Sequence, residues 1–522
     1  VARADRHEIA GRLDASGHEL ETLDEDEVRD LAHRLVAETG DGGAARTDPS
    51  VAEGPRVGAV AICLLHADRD ATHEQRVVTI FREAGLDAVA SHEISPEFRE
   101  YERTITTAID ATLRPVCRTG LHRLDDLARS VMVLTSAGGL VPVAEAAEHP
   151  ARLLLSGPAG GVAAGAALAA VAGFADAVTF DMGGTSTDVC LVLGGRAEPA
   201  AQRSVAGFPV RVPSLDVHTI GAGGGSIARI DTGGALVVGP ESAGAVPGPA
   251  CYGRGGSEPT VTDADLVLGR IPVDHALPGL GVLDVAAAET ALEAVGGDAA
   301  GVVAVVDEAM TEAVRQVSVA RGVDPRGLAL VAFGGAGPLH ACAVAETLEM
   351  AAVVVPARAG VLSALGVLGA PRQLDGVVSV ADPGDHGTAA RQLAELGEAL
   401  AARLVDEGAD PASVSVELSM DCRYRGQSHE LSVVSVGAFA AEHERRNGYV
   451  VDGAEVEVLA LRAVGRVASP VSPLGLPAPA RERVAGPAVV AEPDCTIWVP
   501  PGWGGEAGAA GSLVLRRVQG AG

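Results

Sequence analysis

The stretch Asp181-Met-Gly-Gly-Thr-Ser-Thr-Asp188 constrains this chain more than any other. An apolar run, Ala177-Val178-Thr179-Phe180, leads into it, and Val189-Cys190-Leu191-Val192-Leu193 leads out. The pattern predicts strand, tight glycine turn, strand, with Asp181 ending the first strand and Asp188 starting the second. Gly183 and Gly184 let backbone N–H groups approach an oxyanion closely, and Thr185 and Ser186 add hydroxyl donors. The carboxylates of Asp181 and Asp188 can hold a hydrated divalent cation. Such a turn suits a magnesium–phosphate group; the competing reading is an ordinary Gly-Gly hairpin with polar flanks.

A second glycine turn follows a different kind of strand. Leu328-Ala-Leu-Val-Ala-Phe333 is a continuous apolar run, long enough for a buried strand. Gly334-Gly-Ala-Gly337 comes next, and Pro338 then opens a helical segment running to Glu346. Strand, glycine loop and helix N-terminus make a crevice where the planar and anionic parts of a nucleotide can lie against backbone. The bland alternative is a plain strand-to-helix turn. A third cluster, Ile220-Gly-Ala-Gly-Gly-Gly-Ser226, is not a dinucleotide fingerprint. That fingerprint opens a helix, whereas Ile227 to Val238 has a hairpin pattern. Gly223, Gly224 and Gly225 stay candidates for backbone binding of a phosphate or a substrate carbonyl.

Forty basic against sixty-nine acidic residues give a net charge of −29, which disfavours a nucleic-acid or anionic-membrane partner. Every one of the forty is arginine. Lacking lysine, the chain has no Walker-type loop and no Schiff-base chemistry, so a bound triphosphate must be neutralised by metal, backbone and arginine. Seven cysteines are scattered and never spaced Cys-x-x-Cys, which argues against a disulfide framework or structural zinc and fits a reducing cytoplasm. No basic-then-apolar leader opens the sequence and no apolar run reaches spanning length. The expectation is a soluble, cytoplasmic protein.

At 522 residues the chain has room for two or three domains. Residues 1–155 read as mixed, with a strand in Val57–Leu65, a helix over Thr72–Phe81 capped at Thr72, and a charged helix beginning in Pro96–Ile105. Residues 156–375 alternate strands and helices, the α/β signature, with helical spacing over Val302–Arg321 and Gly322 as its stop. Residues 376–522 hold an amphipathic helix over Ala389–Glu407, then short alternating runs such as Val414–Leu418 and Val456–Leu461. With a proline-rich linker at Ser469–Pro479, they read as a β-rich domain.

Other residues invite chemistry. Asp216 and His218 are spaced to share one strand face, as a metal or proton-transfer pair or as a hydrogen-bonded structural one. Asp263, in Thr260-Val-Thr-Asp-Ala264, is a candidate carboxylate near the substrate. His340 suits capping or packing, His92 and Glu93 a solvated loop, and Cys190 and Cys342 the core.

In order along the chain, Ser91–Arg103, Ser156–Gly161, Asp181–Asp188, Asp216–Ser226, Val246–Tyr252, Thr260–Ala264, Phe333–His340, Gly360–Ala364, Arg423–Gln427 and Pro500–Trp503 form a specific set. Through them the chain resembles the hydantoinase A / 5-oxoprolinase family over nearly its whole length. The resemblance implies an actin-like ATPase fold, two α/β lobes clasping ATP with Mg2+ or Mn2+. It implies ATP cleavage coupled to opening a cyclic amide such as 5-oxoproline or a hydantoin through carbonyl phosphorylation. A related branch instead carboxylates ketones. It places Asp181, Gly183, Gly184 and Thr185 in a second phosphate loop and Gly334, Gly335 and Gly337 along the adenosine, and it implies a hydantoinase B-like partner in a hetero-oligomer.

Some positions depart from the family pattern. The family's earlier Asp-x-Gly-Gly-Thr loop is not found before residue 181, and the chain opens on Val1. The expectation is therefore an N-terminally truncated first lobe, with weak nucleotide affinity and negligible turnover, or a nonhydrolytic subunit. Ala137, Asp110 and Asn447 stand where the family prefers asparagine, asparagine and tyrosine.

Overall fold

The computed structural model describes residues 2–39, 57–124, 127–200, 202–274 and 279–518. Ala329–Phe333 and Ala352–Val355 are buried at every position. A strand apolar on both faces needs helices on both sides, and these two lie at the centre of such a sheet. The chain divides into two units, one made of residues 1–156, 200–214 and 371–468, the other of residues 157–199, 215–370 and 469–522.

Strands of the second unit include β1 (Ala177–Met182), β2 (Thr187–Leu193), β3 (Arg196–Ala197), β4 (Val217–Ile220), β5 (Ser226–Ile230), β6 (Leu236–Ser242), β7 (Ala329–Phe333), β8 (Ala352–Val355), β9 (Val484–Ala485), β10 (Trp503–Ala507) and β11 (Leu513–Arg517), with a separate antiparallel pair, Ala488–Ala491 and Thr496–Val499. The main sheet runs β4-β2-β1-β7-β8-β11-β10-β9, with β3 beside β2. β1, β7 and β8 are parallel neighbours, and the flanking pairs are antiparallel. β5 and β6 form a separate hairpin, as the pattern after the third glycine cluster predicts.

Helices of this unit include α1 (Gly157–Val171), α2 (Val261–Val267), α3 (Ala299–Val317), α4 (Gly337–Thr347) and α5 (Leu362–Gly369), with a further one at Val285–Leu292. α3 buries Val302, Val303, Val306, Met310, Val314 and Val317, which recur at helical spacing. Asp298 caps it by accepting from Gly301 N at 2.7 Å. The expected helix to Arg321 ends at Val317; a 3₁₀ turn, Val319–Arg321, follows, and Gly322 at φ 75° stops it. α1 carries glycines where neighbours press in: a Cβ on Gly165 would lie 2.9 Å from Thr179 Cγ2.

The first unit has a sheet ordered Leu431–Val433, Val414–Tyr424, Val456–Val467, Arg372–Ser379, Leu140–Pro142, Met132–Leu134. The helix His386–Asp406 lays Leu393, Leu400 and Leu404 against it. A smaller parallel pair, Val60–Ile62 and Ala88–Ala90, packs against the helix Thr72–Glu83. That helix begins at Thr72 after Ala71, which caps nothing through its side chain; Thr72 is instead held from outside by Asp70, whose Oδ1 accepts from Thr72 N at 2.8 Å. The charged helix opens at Glu100 rather than at Pro96, because Arg99 takes left-handed backbone at φ 44°.

The stretch 376–522 is not one β-rich domain. Residues 376–468 build the first unit's sheet and residues 469–522 complete the second's. The change of unit falls at Ser469, where the proline-rich segment begins. Among the described residues, no helix is long and apolar enough to cross a membrane.

Candidate functional site

β1 and β2 form the hairpin that the octapeptide predicts, with Asp181 directly opposite Asp188. Gly183 N donates to Ser186 O at 3.0 Å and closes the turn. β4 continues the ladder, so Thr219 stands opposite Asp188 and its Oγ1 donates to Asp188 Oδ1 at 2.5 Å. Side chains opposite one another across a sheet share a face. Asp181, Asp188 and Thr219 therefore make one polar row at the end of the sheet.

All three glycine turns meet at that row. Gly224 N donates to Gly183 O at 3.0 Å and Gly225 N to Gly184 O at 2.6 Å. A Cβ on Gly223 would lie 2.7 Å from both Gly184 C and Thr185 N, so only glycine lets the third turn buttress the first. Thr262, in the first turn of α2, bonds Gly224 O through N and Oγ1, both at 2.8 Å. From the other side Ala336 N donates to Met182 O at 3.1 Å. Gly334, at φ 79°, passes so close that a Cβ would sit 2.5 Å from Asp181 Oδ1. Gly337 opens α4, with Phe180 O 3.4 Å from where its Cβ would be.

The outer side of the turns is open. A Cβ on Gly184 or Gly335 would meet nothing within 4 Å. Among the described residues, no protein group accepts from the N–H groups of Gly184, Thr185 or Gly335. Donors without acceptors beside two carboxylates match a phosphate bound with a divalent cation, so the residues present fit the groups the sequence implies. Burial raises Asp181 to about 6; the hydroxyl of Ser363, which donates to Oδ2 at 3.1 Å, opposes this, and the Asp188 charge adds to it. A carboxylate so strained electrostatically gains from a cation beside it.

Other candidates fall elsewhere. His218 pairs with Val189, which pairs with Phe180, so its side chain lies on the face opposite the Asp181–Asp188 row. Asp216 shares that parity; its N donates to Glu198 O at 2.8 Å and its carboxylate pairs with Arg321. The strand's alternation thus carries both to the face away from the Asp181–Asp188 row, and Asp216 is engaged there by Arg321. Asp263 is a cap. It is fully buried and accepts from Cys251 N at 2.8 Å, Thr260 N at 2.9 Å and Thr260 Oγ1 at 2.7 Å. Thr260-x-x-Asp263 is a capping box, a signal present in the sequence.

His340 is buried between two acids, with Nδ1 2.7 Å from Asp307 Oδ1 and Nε2 3.1 Å from Asp265 Oδ2. Burial alone lowers its pKa, but the two carboxylates outweigh it and raise it to about 10. It is therefore a charged tie between α4, α2 and α3. His92 is held by Glu74, its Nδ1 2.8 Å from Glu74 Oε2, and Glu93 pairs with Arg82 at 3.1 Å. Cys190 and Cys342 are buried, as expected. Ser363, Thr219 and Thr262 contact the turns without having been singled out in the sequence.

The fold and the turns together define a mixed α/β protein with a backbone-lined polar site at the end of its larger sheet. A profile of the Hydantoinase/oxoprolinase family matches residues 103–373. The chain belongs to that family. It is 34% identical to an uncharacterized protein of Methanocaldococcus jannaschii, over 84% of this chain and 66% of that protein. It is 32% identical to the caprolactamase subunit alpha of Pseudomonas jessenii, over 96% of this chain and 80% of that subunit. The crystal structure of the ATP-dependent caprolactamase from Pseudomonas jessenii superposes with a TM-score of 0.84 at 30% identity, covering 99% of this chain and 83% of that one. The chain thus spans about two thirds of one relative and four fifths of the other.

Proposed function

We propose that this chain is the A-type subunit of an ATP-dependent enzyme that opens a cyclic amide, of the 5-oxoproline, hydantoin or lactam type. The observation that carries the reading is the convergence of three glycine turns on Asp181 and Asp188. The organisation proposed is that of an actin-like ATPase. A relative described as a subunit and a structural neighbour described as an ATP-dependent caprolactamase support it. A hydantoinase B-like partner, a hetero-oligomer and a cytoplasmic setting belong to the same proposal.

An unstrained amide is a poor electrophile at neutral pH. ATP with Mg2+ or Mn2+ supplies a phosphoryl group that, placed on the carbonyl oxygen, leaves the ring carbon open to water. The chain's own residues position and neutralise. Asp181 and Asp188 hold the cation. The N–H groups of Gly184 and Thr185, with the Thr185 and Ser186 hydroxyls, would meet the phosphate oxygens. Gly334, Gly335 and Gly337 line the adenosine side, and Gly223, Gly224 and Gly225 hold the phosphate turn in place. Without lysine, amide donors do what a P-loop lysine does elsewhere.

The test is substrate-stimulated ATP turnover by the protein purified from its native cell together with its partner. 5-Oxoproline, hydantoin, caprolactam, and acetone with bicarbonate are offered separately. A cyclic amide should stimulate turnover, and Asp181→Ala should cut it by a factor on the order of a hundred or more. Stimulation by acetone with bicarbonate alone would replace this reading with that of a ketone carboxylase subunit. Negligible turnover with every substrate would favour the nonhydrolytic reading.

A further inference from the structure

The carboxylate of Asp181 is held by a residue 182 positions further along the chain, Ser363, whose Oγ donates to Oδ2 at 3.1 Å. Ser363 lies in the first turn of α5, and its place is fixed by how α5 meets α1. A Cβ on Gly366 would lie 1.8 Å from Gly160 O, so the two helices touch backbone to backbone. One residue on, a Cβ at Gly161 would lie 2.5 Å from Ser363 Oγ and 2.6 Å from Phe333 Cε2. The hydroxyl is confined between a bare stretch of helix and the carboxylate. On the carboxylate's other side Gly334 leaves Oδ1 just enough room.

A carboxylate held at Oδ2 by a confined hydroxyl, and left space at Oδ1 only because Gly334 has no side chain, is biased toward one rotation about its Cβ–Cγ bond. We propose that Ser363 is a positioning residue that fixes the orientation in which Asp181 receives the metal–nucleotide, with Gly161 providing the space for it. The inference rests on reading the Asp181–Asp188 hairpin as the phosphate site. Its physical content is preorganisation: orientation already fixed in the free protein is not lost again on binding. The hydroxyl is not itself a ligand for the nucleotide. Its effect passes through Asp181.

The experiment is ADP binding to the full chain with its native partner, by calorimetry, with and without Mn2+. Ser363→Ala should remove about five- to tenfold of the Mn2+-dependent gain in affinity, leaving metal-free ADP affinity and the melting temperature unchanged. Gly161→Ala, which pushes the hydroxyl from the other helix, should reproduce the loss. Equal weakening of both affinities would mean a merely structural residue and overturn the proposal. So would an unchanged Mn2+ gain in Ser363→Ala while Asp181→Asn abolishes it, which leaves the phosphate-site reading standing. An unchanged gain in Asp181→Asn would sink that reading and this inference with it.

Discussion

Around Asp181 and Asp188 the second unit gathers backbone; around Glu97 the first unit gathers side chains. Glu97, 4% exposed, accepts from Arg211 and from Arg462 Nη2 at 3.1 Å. Arg462 Nε goes on to Asp421 Oδ2 at 2.7 Å, and Glu430 takes Arg99 at 2.9 Å and Arg211 at 3.6 Å. Arg103, 1% exposed, bonds Asp68 at 2.9 Å and Leu64 O at 2.8 Å. This network ties the Ser91–Arg103 segment to the strands Val414–Tyr424 and Val456–Val467. Its charges are already answered by one another. The glycine turns instead expose amide dipoles with no counter-charge, and such donors can serve an incoming anion. One arrangement holds a segment in place, while the other keeps donors in reserve.

The sharpest way to break this contrast is at the turns, where space rather than charge decides. Gly223→Ala puts a methyl 2.7 Å from the backbone of Gly184 and Thr185, which no rotamer relieves. We expect about 4 kcal/mol or more of lost stability and no nucleotide turnover. Gly184→Val, whose side chain enters open space, should melt near wild type yet also lose turnover. Thermal melting beside ATP hydrolysis separates the two; a Gly223→Ala variant as stable as wild type would show that the third turn is no buttress.

The second effect belongs to the network. Glu97→Gln strands Arg211 and Arg462 with one carboxylate fewer, at a cost of roughly 3–5 kcal/mol. Urea unfolding at neutral pH measures it. A loss below about 1 kcal/mol would mean that the arginines find other partners and that the network is a surface-like feature.

The smallest effect tests whether every buried acid of the first unit is paired. Asp110 is fully buried; Oδ1 accepts from Ala151 N at 2.8 Å, and Oδ2 has no hydrogen-bond partner among the described residues. Burial raises it to about 7, against the pull of Ala151 N–H, Arg114 and Arg152. A carboxyl whose folded pKa exceeds its unfolded value contributes stability at low pH that is lost as pH rises through about 7. Asp110→Asn should therefore match wild type below about pH 4 and become progressively more stable than it as pH rises through about 7 toward 8. Denaturation curves with the same pH dependence in both proteins would show that Asp110 stays ionised.

What could be read in advance followed from local rules. Asp181–Asp188 announces a hairpin because its glycines lie between apolar runs, and Leu328–Phe333 announces a central strand because nothing polar interrupts it. Asp263 reads as a carboxylate near the substrate although the cap signal is there: Thr260 three residues earlier marks a helix start, and a capping carboxylate has little left for chemistry. Asp216 and His218 needed more, since their face depends on register across three strands that no short stretch encodes. Ser363 lies in Gly360–Ala364, one of the segments that carry the family resemblance, but nothing there shows that it meets Asp181, 182 residues away. The division of 376–522 was equally hidden, for an alternating strand reads alike whichever sheet it joins.

The order of strands in the larger sheet has a consequence for the chain during synthesis. β8 is complete at Val355, but its neighbour β11 starts only at Leu513. At ribosomal speeds that interval lasts on the order of ten seconds. Throughout it, the nascent β8 offers a bare row of amides and carbonyls on an all-apolar strand, the kind of edge to which another chain can pair. Whatever shields that edge in the cell, a chaperone or a transient helix, must hold on until the last strands emerge. The yield of this protein should therefore depend on translation rate and temperature as well as on the stability of its finished fold.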